Sequence, residues 1–125
     1  MDKARADVAA PKARRRVAER LPESRILRET LLAISRVGGL PARHQVGTFY
    51  TRDGRPVRIG VVGMPDVTAC VRGRYIAVEC KGHRGRLSKY QKNFREAITK
   101  AGGKHFVPKT MADIAEMVAW LEALP

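Results

Sequence analysis

A chain of 125 residues, 44% of them hydrophobic, has the length of one domain with a modest core. No apolar run approaches the ~18 residues of a membrane span, and the basic amino terminus lacks the hydrophobic segment of a secretory signal, so a membrane protein and a secreted one are both unexpected. Twenty-five Lys and Arg against twelve Asp and Glu, a formal charge of +13, point to an anionic partner.

The charge is unevenly placed. Residues 1–20 carry seven basic and three acidic residues, residues 81–109 nine basic and one acidic, and residues 110–125 three acids without Lys or Arg. A phosphate backbone is the partner such patches fit. An anionic membrane surface fits less well, because no apolar anchor accompanies the basic segments. Cys70 and Cys80 are the two cysteines, and with His83 and His105 they match no compact zinc spacing. A reducing, intracellular setting in the cytoplasm is expected.

In chain order, residues 1–20 are rich in Ala, Arg and Lys and read as a flexible basic arm able to order on nucleic acid. Residues 21–125 read as the single folded domain. Pro22-Glu23 opens a helix running to about Val37, with Ile26, Leu27, Thr30, Leu31, Ile34 and Val37 on one face and Gly38-Gly39 as its stop. Pro41 follows as a breaker. His44–Tyr50 and Arg55–Val62 read as strands about an Asp53-Gly54 turn. Residues 67–71 and 74–78 form a hairpin about Arg72-Gly73. Gly82 to Arg86 is a loop, in which His83 reads as solvent-facing. Ser88 caps a helix from Lys89 to Ala101, and Gly102-Gly103 stops it. A short strand from Lys104 to Lys109 precedes a last helix, capped by Thr110 and reaching Leu124. The expected fold is α/β, a mixed and mainly antiparallel sheet flanked by helices.

The constellation carrying chemistry sits at the open end of that hairpin. With Val71 paired to Arg74, Asp66 falls opposite Glu79, and directly opposed residues have Cβ atoms about 4.5–5.5 Å apart. Lys81, two residues on, shares their face, while Val67, Ala69, Val71, Ile76, Val78 and Cys80 make the apolar one. Two opposed carboxylates repel in a purely structural sheet. A hard divalent cation, Mg²⁺ or Mn²⁺, reverses that sign, and Lys81 beside it suits metal-assisted hydrolysis. Acid pairs are more often plain surface charge; the opposed register and the adjacent lysine favour the functional reading.

These residues also carry a resemblance. Gly63-Met64-Pro65-Asp66 followed by Glu79-Cys80-Lys81 resembles the PD-(D/E)xK signature of restriction-endonuclease-like proteins. Gly47, Gly60, Gly85-Arg86-Leu87-Ser88, Gln91 and Ala101-Gly102-Gly103 extend the likeness to the small virus-type replication–repair nuclease domain, VRR-NUC, from about Glu23 to Leu121. One departure is Thr68-Ala69, where members often have a glycine. The resemblance implies a restriction-endonuclease-like core and a Mg²⁺- or Mn²⁺-dependent DNA endonuclease. Selectivity for branched DNA such as flaps or junctions is implied, as in stand-alone viral members and the Fanconi-associated repair nuclease, in a bacterial or phage setting. Asp66, Glu79, the Cys80 backbone carbonyl and Glu23 would ligate metal. Lys81 would activate water, and Gln91 would complete the site. Arg84, Arg86, Lys89 and Lys92 would hold phosphates.

Two other readings stand beside it: a nucleic-acid-binding module with this fold but no catalysis, and an inhibitor or assembly protein acting through its basic surface. A homodimer is expected from the need for two cuts, with Trp120 meeting the partner and the stripe Ile114, Met117, Val118 and Leu121 facing the core. Of the acids on the first helix, Ile26, Leu27, Thr30 and Ile34 lie within about 60° of the Glu23 direction, which places Glu23 on the packing face and Glu29 in solvent.

Overall fold

The computed structural model describes residues 20–125. The chain runs α1 (Glu23–Arg36), β1 (Leu40–Arg43), β2 (Gly47–Tyr50), β3 (Pro56–Ile59), β4 (Val67–Val71), β5 (Arg74–Val78), α2 (Lys89–Lys100), β6 (Lys104–Phe106) and α3 (Met111–Glu122). Four strands form a sheet in the order β1-β4-β5-β6, and β2 and β3 form a separate antiparallel pair. β1, β4 and β5 are antiparallel neighbours, whereas β6 joins β5 in parallel after the α2 crossover. The fold is therefore α/β with a mixed sheet. The basic arm lies almost wholly outside the described residues.

The elements form for local reasons. α1 begins after extended Pro22 with Glu23 in its first turn, and ends where Gly38 N–H reaches Ser35 O and Gly39 N–H reaches Ile34 O. Its buried residues, Ile26, Thr30, Ala33 and Ile34, recur every three or four positions. Capping boxes start α2, by Ser88 with Gln91, and α3, by Thr110 with Asp113. The β4–β5 turn places both Arg72 (φ 49°) and Gly73 (φ 79°) in the left-handed region, the type I′ geometry that matches strand twist. The Arg72 guanidinium then donates to Glu122 O at 2.9 Å and Leu124 O at 2.7 Å, so the hairpin tip closes the end of α3.

One sheet face carries Val67, Ala69, Val71, Ile76, Val78 and Cys80, all buried together with Ile26 and Ile34 of α1 and Ile114, Met117 and Leu121 of α3. This is the apolar face expected from alternation. α2 lies on the opposite face, where its buried Ile98 would be met by any side chain at Gly103.

Three expectations need correction. The strand expected at His44–Tyr50 is shorter, Gly47–Tyr50, and belongs to the separate pair, while an unexpected strand, Leu40–Arg43, joins the main sheet. Pro41, taken as a breaker, sits inside β1 opposite Ala69, which an edge strand tolerates because no ladder neighbour needs its N–H. The strand expected at Arg55–Val62 is shorter, Pro56–Ile59. Trp120 does lie off the buried stripe, but it packs on its own chain: edge-on to Phe106 at 5.5 Å, with Arg74 and Lys104 each 5.4 Å from the ring centre.

Candidate active site

The sheet register places the two acids as the hairpin spacing predicts. Val67 pairs with Val78, so the next pair outward is Asp66 with Glu79. Both stand just past their strand ends. The backbone stays extended here because Glu79 N–H bonds to Phe106 O at 2.9 Å and Lys81 N–H to Pro108 O at 3.1 Å. Between them Cys80 N–H points the other way, onto Asp66 Oδ2 at 2.8 Å. Asp66 O in turn accepts His44 N–H at 2.7 Å, which fixes the residue from both its backbone and its side chain. Cys80 turns its thiol into the core beside Thr30, where burial pushes its pKa up to about 12 and leaves it inert.

Glu79 is 2% exposed. Its Oε1 accepts Gln91 Nε2–H at 3.0 Å and lies 3.9 Å from Lys81 Nζ, while its Oε2 is buried with no hydrogen-bond partner. Burial, then the closeness and negative charge of Asp66, push its carboxyl pKa up to about 8, against the pull of Lys81. The neutral form is thus favoured at this carboxyl until positive charge arrives.

Gln91 does two things at once. Its Oε1 accepts Ser88 N–H at 2.8 Å in the capping box, and its Nε2 donates to Glu79. The cap fixes which end of the amide faces the acid. The sequence placed Gln91 in the first turn after the loop, and the Ser88-x-x-Gln91 spacing was the available signal for the rest. Two close approaches hold the surroundings. A side chain at Gly63 (φ 87°) would come within 2.6 Å of Tyr90 O, so the segment entering Asp66 lies directly on the first turn of α2. A side chain at Gly85 would come within 2.9 Å of Lys81 Cβ, so the 82–86 loop lies on the lysine stem.

The first-helix acids reverse their expected exposure. Glu23 is exposed, whereas Glu29 is half-buried and paired to Arg25 at 3.2 Å. The face calculation fails at Glu23, which is the first residue of the helix after extended Pro22 and is exposed. Glu23 nevertheless belongs near the site. Its charge contributes to the raised pKa of Glu79, and its backbone N lies 3.5 Å from the Cβ position of Gly82. Among the described residues, no three His, Cys, Asp or Glu side chains converge closely enough to hold a metal as a group. The gathered constellation is Asp66, Glu79, Lys81 and Gln91, with Glu23 at its rim.

Arg84, Arg86, Lys89 and Lys92 lie on the loop after Lys81 and the start of α2, and all four are exposed. Arg86 and Lys92 also line a groove of about 420 Å³ with Arg95 and Lys109 over Leu87 and Val107. The sequence reading did not assign Arg95 and Lys109 to this surface. Lys92 and Arg95 are three apart on one helix face, a spacing that was legible, but Lys109 arrives only through the parallel placement of β6. No helix among the described residues is long and apolar enough to cross a membrane. Comparisons with family models, curated proteins and solved structures give no match.

Proposed function

We propose that the protein is a metal-dependent nuclease that hydrolyses DNA phosphodiester bonds, with a restriction-endonuclease-like core of the VRR-NUC kind. The observation that carries the reading is Glu79: a buried carboxyl opposite Asp66, with one oxygen held by Gln91 and the other, Oε2, lacking any partner. A buried acceptor without a donor is costly, and a hard cation satisfies it. The helix, hairpin, crossover helix and parallel strand that frame the site agree with the resemblance, as does the Asp66…Glu79-x-Lys81 spacing.

The donor set fits Mg²⁺ or Mn²⁺. Asp66 and Glu79 would hold the ion with the Cys80 carbonyl, Glu23 would act from the rim, and water would fill the remaining positions, as suits Mg²⁺ with few protein carboxylates. The ion supplies the positive charge that polarises a phosphoryl oxygen. The chain's own residues do the rest. Gln91 holds Glu79 in place. Lys81, half-buried beside Glu79, orients the attacking water and draws its proton equilibrium towards hydroxide. The water oxygen bonds to phosphorus as the bond to one sugar oxygen breaks, with the water's proton passing to solvent and a proton from solvent ending on the departing sugar oxygen. Arg84, Arg86, Lys89 and Lys92 bind neighbouring phosphates. Selectivity for flaps or junctions, and pairing into a homodimer, belong to the same proposal.

The test is Asp66→Asn. It is expected to abolish nicking of supercoiled plasmid in Mg²⁺ or Mn²⁺ while leaving DNA binding equal or tighter, since the cationic groups are untouched. An Asp66→Asn protein that cuts at the wild-type rate removes this site. A wild-type protein that binds DNA but cuts none of single-strand, duplex, flap and four-way-junction substrates leaves the non-catalytic binding module instead.

A further inference from the structure

We infer that the β2–β3 ribbon is a duplex-gripping arm that lies in a groove of the DNA next to the scissile bond. This deepens the nuclease reading and rests on it.

The ribbon belongs to no other sheet. It leaves the main sheet after β1 and returns at β4, and these two strands are paired side by side, with Arg43 opposite Val67. The root of the ribbon is closed by His44 N–H on Asp66 O at 2.7 Å. Whatever the ribbon grips is therefore tethered to Asp66, one of the two site carboxylates.

Its surface suits DNA. An isolated two-stranded pair is marginal in water and gains stability by laying a face on something else. Phe49, Val57 and Ile59 share one face, since Phe49 pairs with Val57 and Gly47 with Ile59, and each of the three is 44% exposed. Tyr50 is 70% exposed on the other face, beside Arg58. Arg52 and Arg55 flank the turn. The only acid from residue 43 to residue 62 is Asp53, which Arg55 already neutralises at 3.1 Å. An apolar patch alone would suit any partner; patch and unbalanced arginines together select a polyanion with apolar sugar and base edges. Dimensions agree. Two paired strands lie about 4.8 Å apart, and a major groove about 12 Å wide admits such a two-stranded ribbon with its side chains. Single-stranded DNA offers no such groove, so the duplex is the ligand.

The experiment compares the full chain carrying Asp66→Asn with the same chain also carrying Arg52→Gln and Arg58→Gln. Binding to a 20-base-pair duplex and to a 20-nucleotide single strand is titrated with salt, and size is followed by light scattering. The expected result is a slope of log K against log salt shallower by roughly 1.8 on the duplex, at about 0.9 per lost phosphate contact, with single-strand binding and size unchanged. Phe49→Ser in the same background should weaken duplex binding with no change of slope. An unchanged duplex slope with Arg52 and Arg58 replaced overturns the ribbon while leaving the nuclease reading intact. So does a Phe49→Ser protein that halves in mass yet keeps its duplex affinity, because the apolar face would then be a contact between copies. Failure of the Asp66→Asn protein itself to bind either DNA removes the nuclease reading along with the ribbon.

Discussion

Glu23 and Glu29 show how an assignment can rest on a faulty reason. Helical angles place Glu23 towards the sheet, yet its side chain is exposed, and Glu29 is the acid that is half-buried and paired. Angles give direction but not how far the sheet extends beneath a helix end. The case for Glu23 is now electrostatic, through its influence on the Glu79 carboxyl. Exposure makes that influence modest, since solvent screens it. Glu23→Gln is expected to lower cleavage by several-fold at limiting Mg²⁺ and to recover much of it at saturating Mg²⁺. Glu29→Gln is expected to leave cleavage unchanged and to cost at most about 1 kcal/mol through loss of the Arg25 pair. Metal titrations of cleavage rate measure both, and a larger activity loss at Glu29 would exchange the assignments. Asp66 and Glu79, by contrast, were legible as a pair, because strand period and a two-residue turn fix their register.

α2 ties the site to the fold, and its cap is the joint. Ser88 Oγ accepts Gln91 N–H at 3.2 Å, and the Gln91 side chain spans from Ser88 N–H to Glu79. The two halves of this cap are separable. Ser88→Ala should cost about 1 kcal/mol of stability, lowering the melting temperature by roughly 4–8 °C, with cleavage measured well below that temperature unchanged. Gln91→Leu should lose similar stability and also cut cleavage by at least tenfold, because Glu79 loses its one side-chain donor. Melting curves read beside single-turnover rates distinguish the two, and equal rates for both variants would reduce Gln91 to a cap. The helix limits and Ser88 were readable from Gly-Gly stops and the capping residue. β1 was not, since Pro41 reads as a breaker until the strand is known to be an edge. Nor was the separation of β2 and β3 from the main sheet, because alternation marks a strand without naming its neighbour. The parallel placement of β6 likewise depends on a crossover that no local pattern encodes.

At the scale of the whole molecule, two buried groups give stability opposite dependences on pH. Glu79 titrates at its ordinary value of 4.5 when unfolded and at about 8 when folded, raised by burial, Asp66 and Glu23 against Lys81. Between those values the folded chain keeps a proton that the unfolded chain has released, so stability falls as pH rises. His105 has both ring nitrogens buried without partners, and burial with the nearby Arg95 lowers its pKa from 6.5 to about 4. Between those values the unfolded chain holds the extra proton, so stability falls as pH drops. The two slopes oppose each other from about pH 4.5 to 6.5. From these two groups stability should be flat across that range, with an alkaline decline set by Glu79 continuing to about pH 8. Divalent cation should oppose the decline, because it stabilises the ionised carboxylate: Mg²⁺ should raise the urea midpoint more at about pH 8 than at about pH 5.5. Glu79→Gln should abolish both the alkaline decline and the larger Mg²⁺ effect at the alkaline end. His105→Leu should leave the alkaline limb in place and let stability rise as pH falls from 6.5 towards 4.5. Urea midpoints at half-unit pH steps, with and without Mg²⁺, measure all three. An alkaline limb that survives Glu79→Gln would show that this carboxyl is ionised in the folded protein without a cation, and would remove the electrostatic ground for placing a metal beside it.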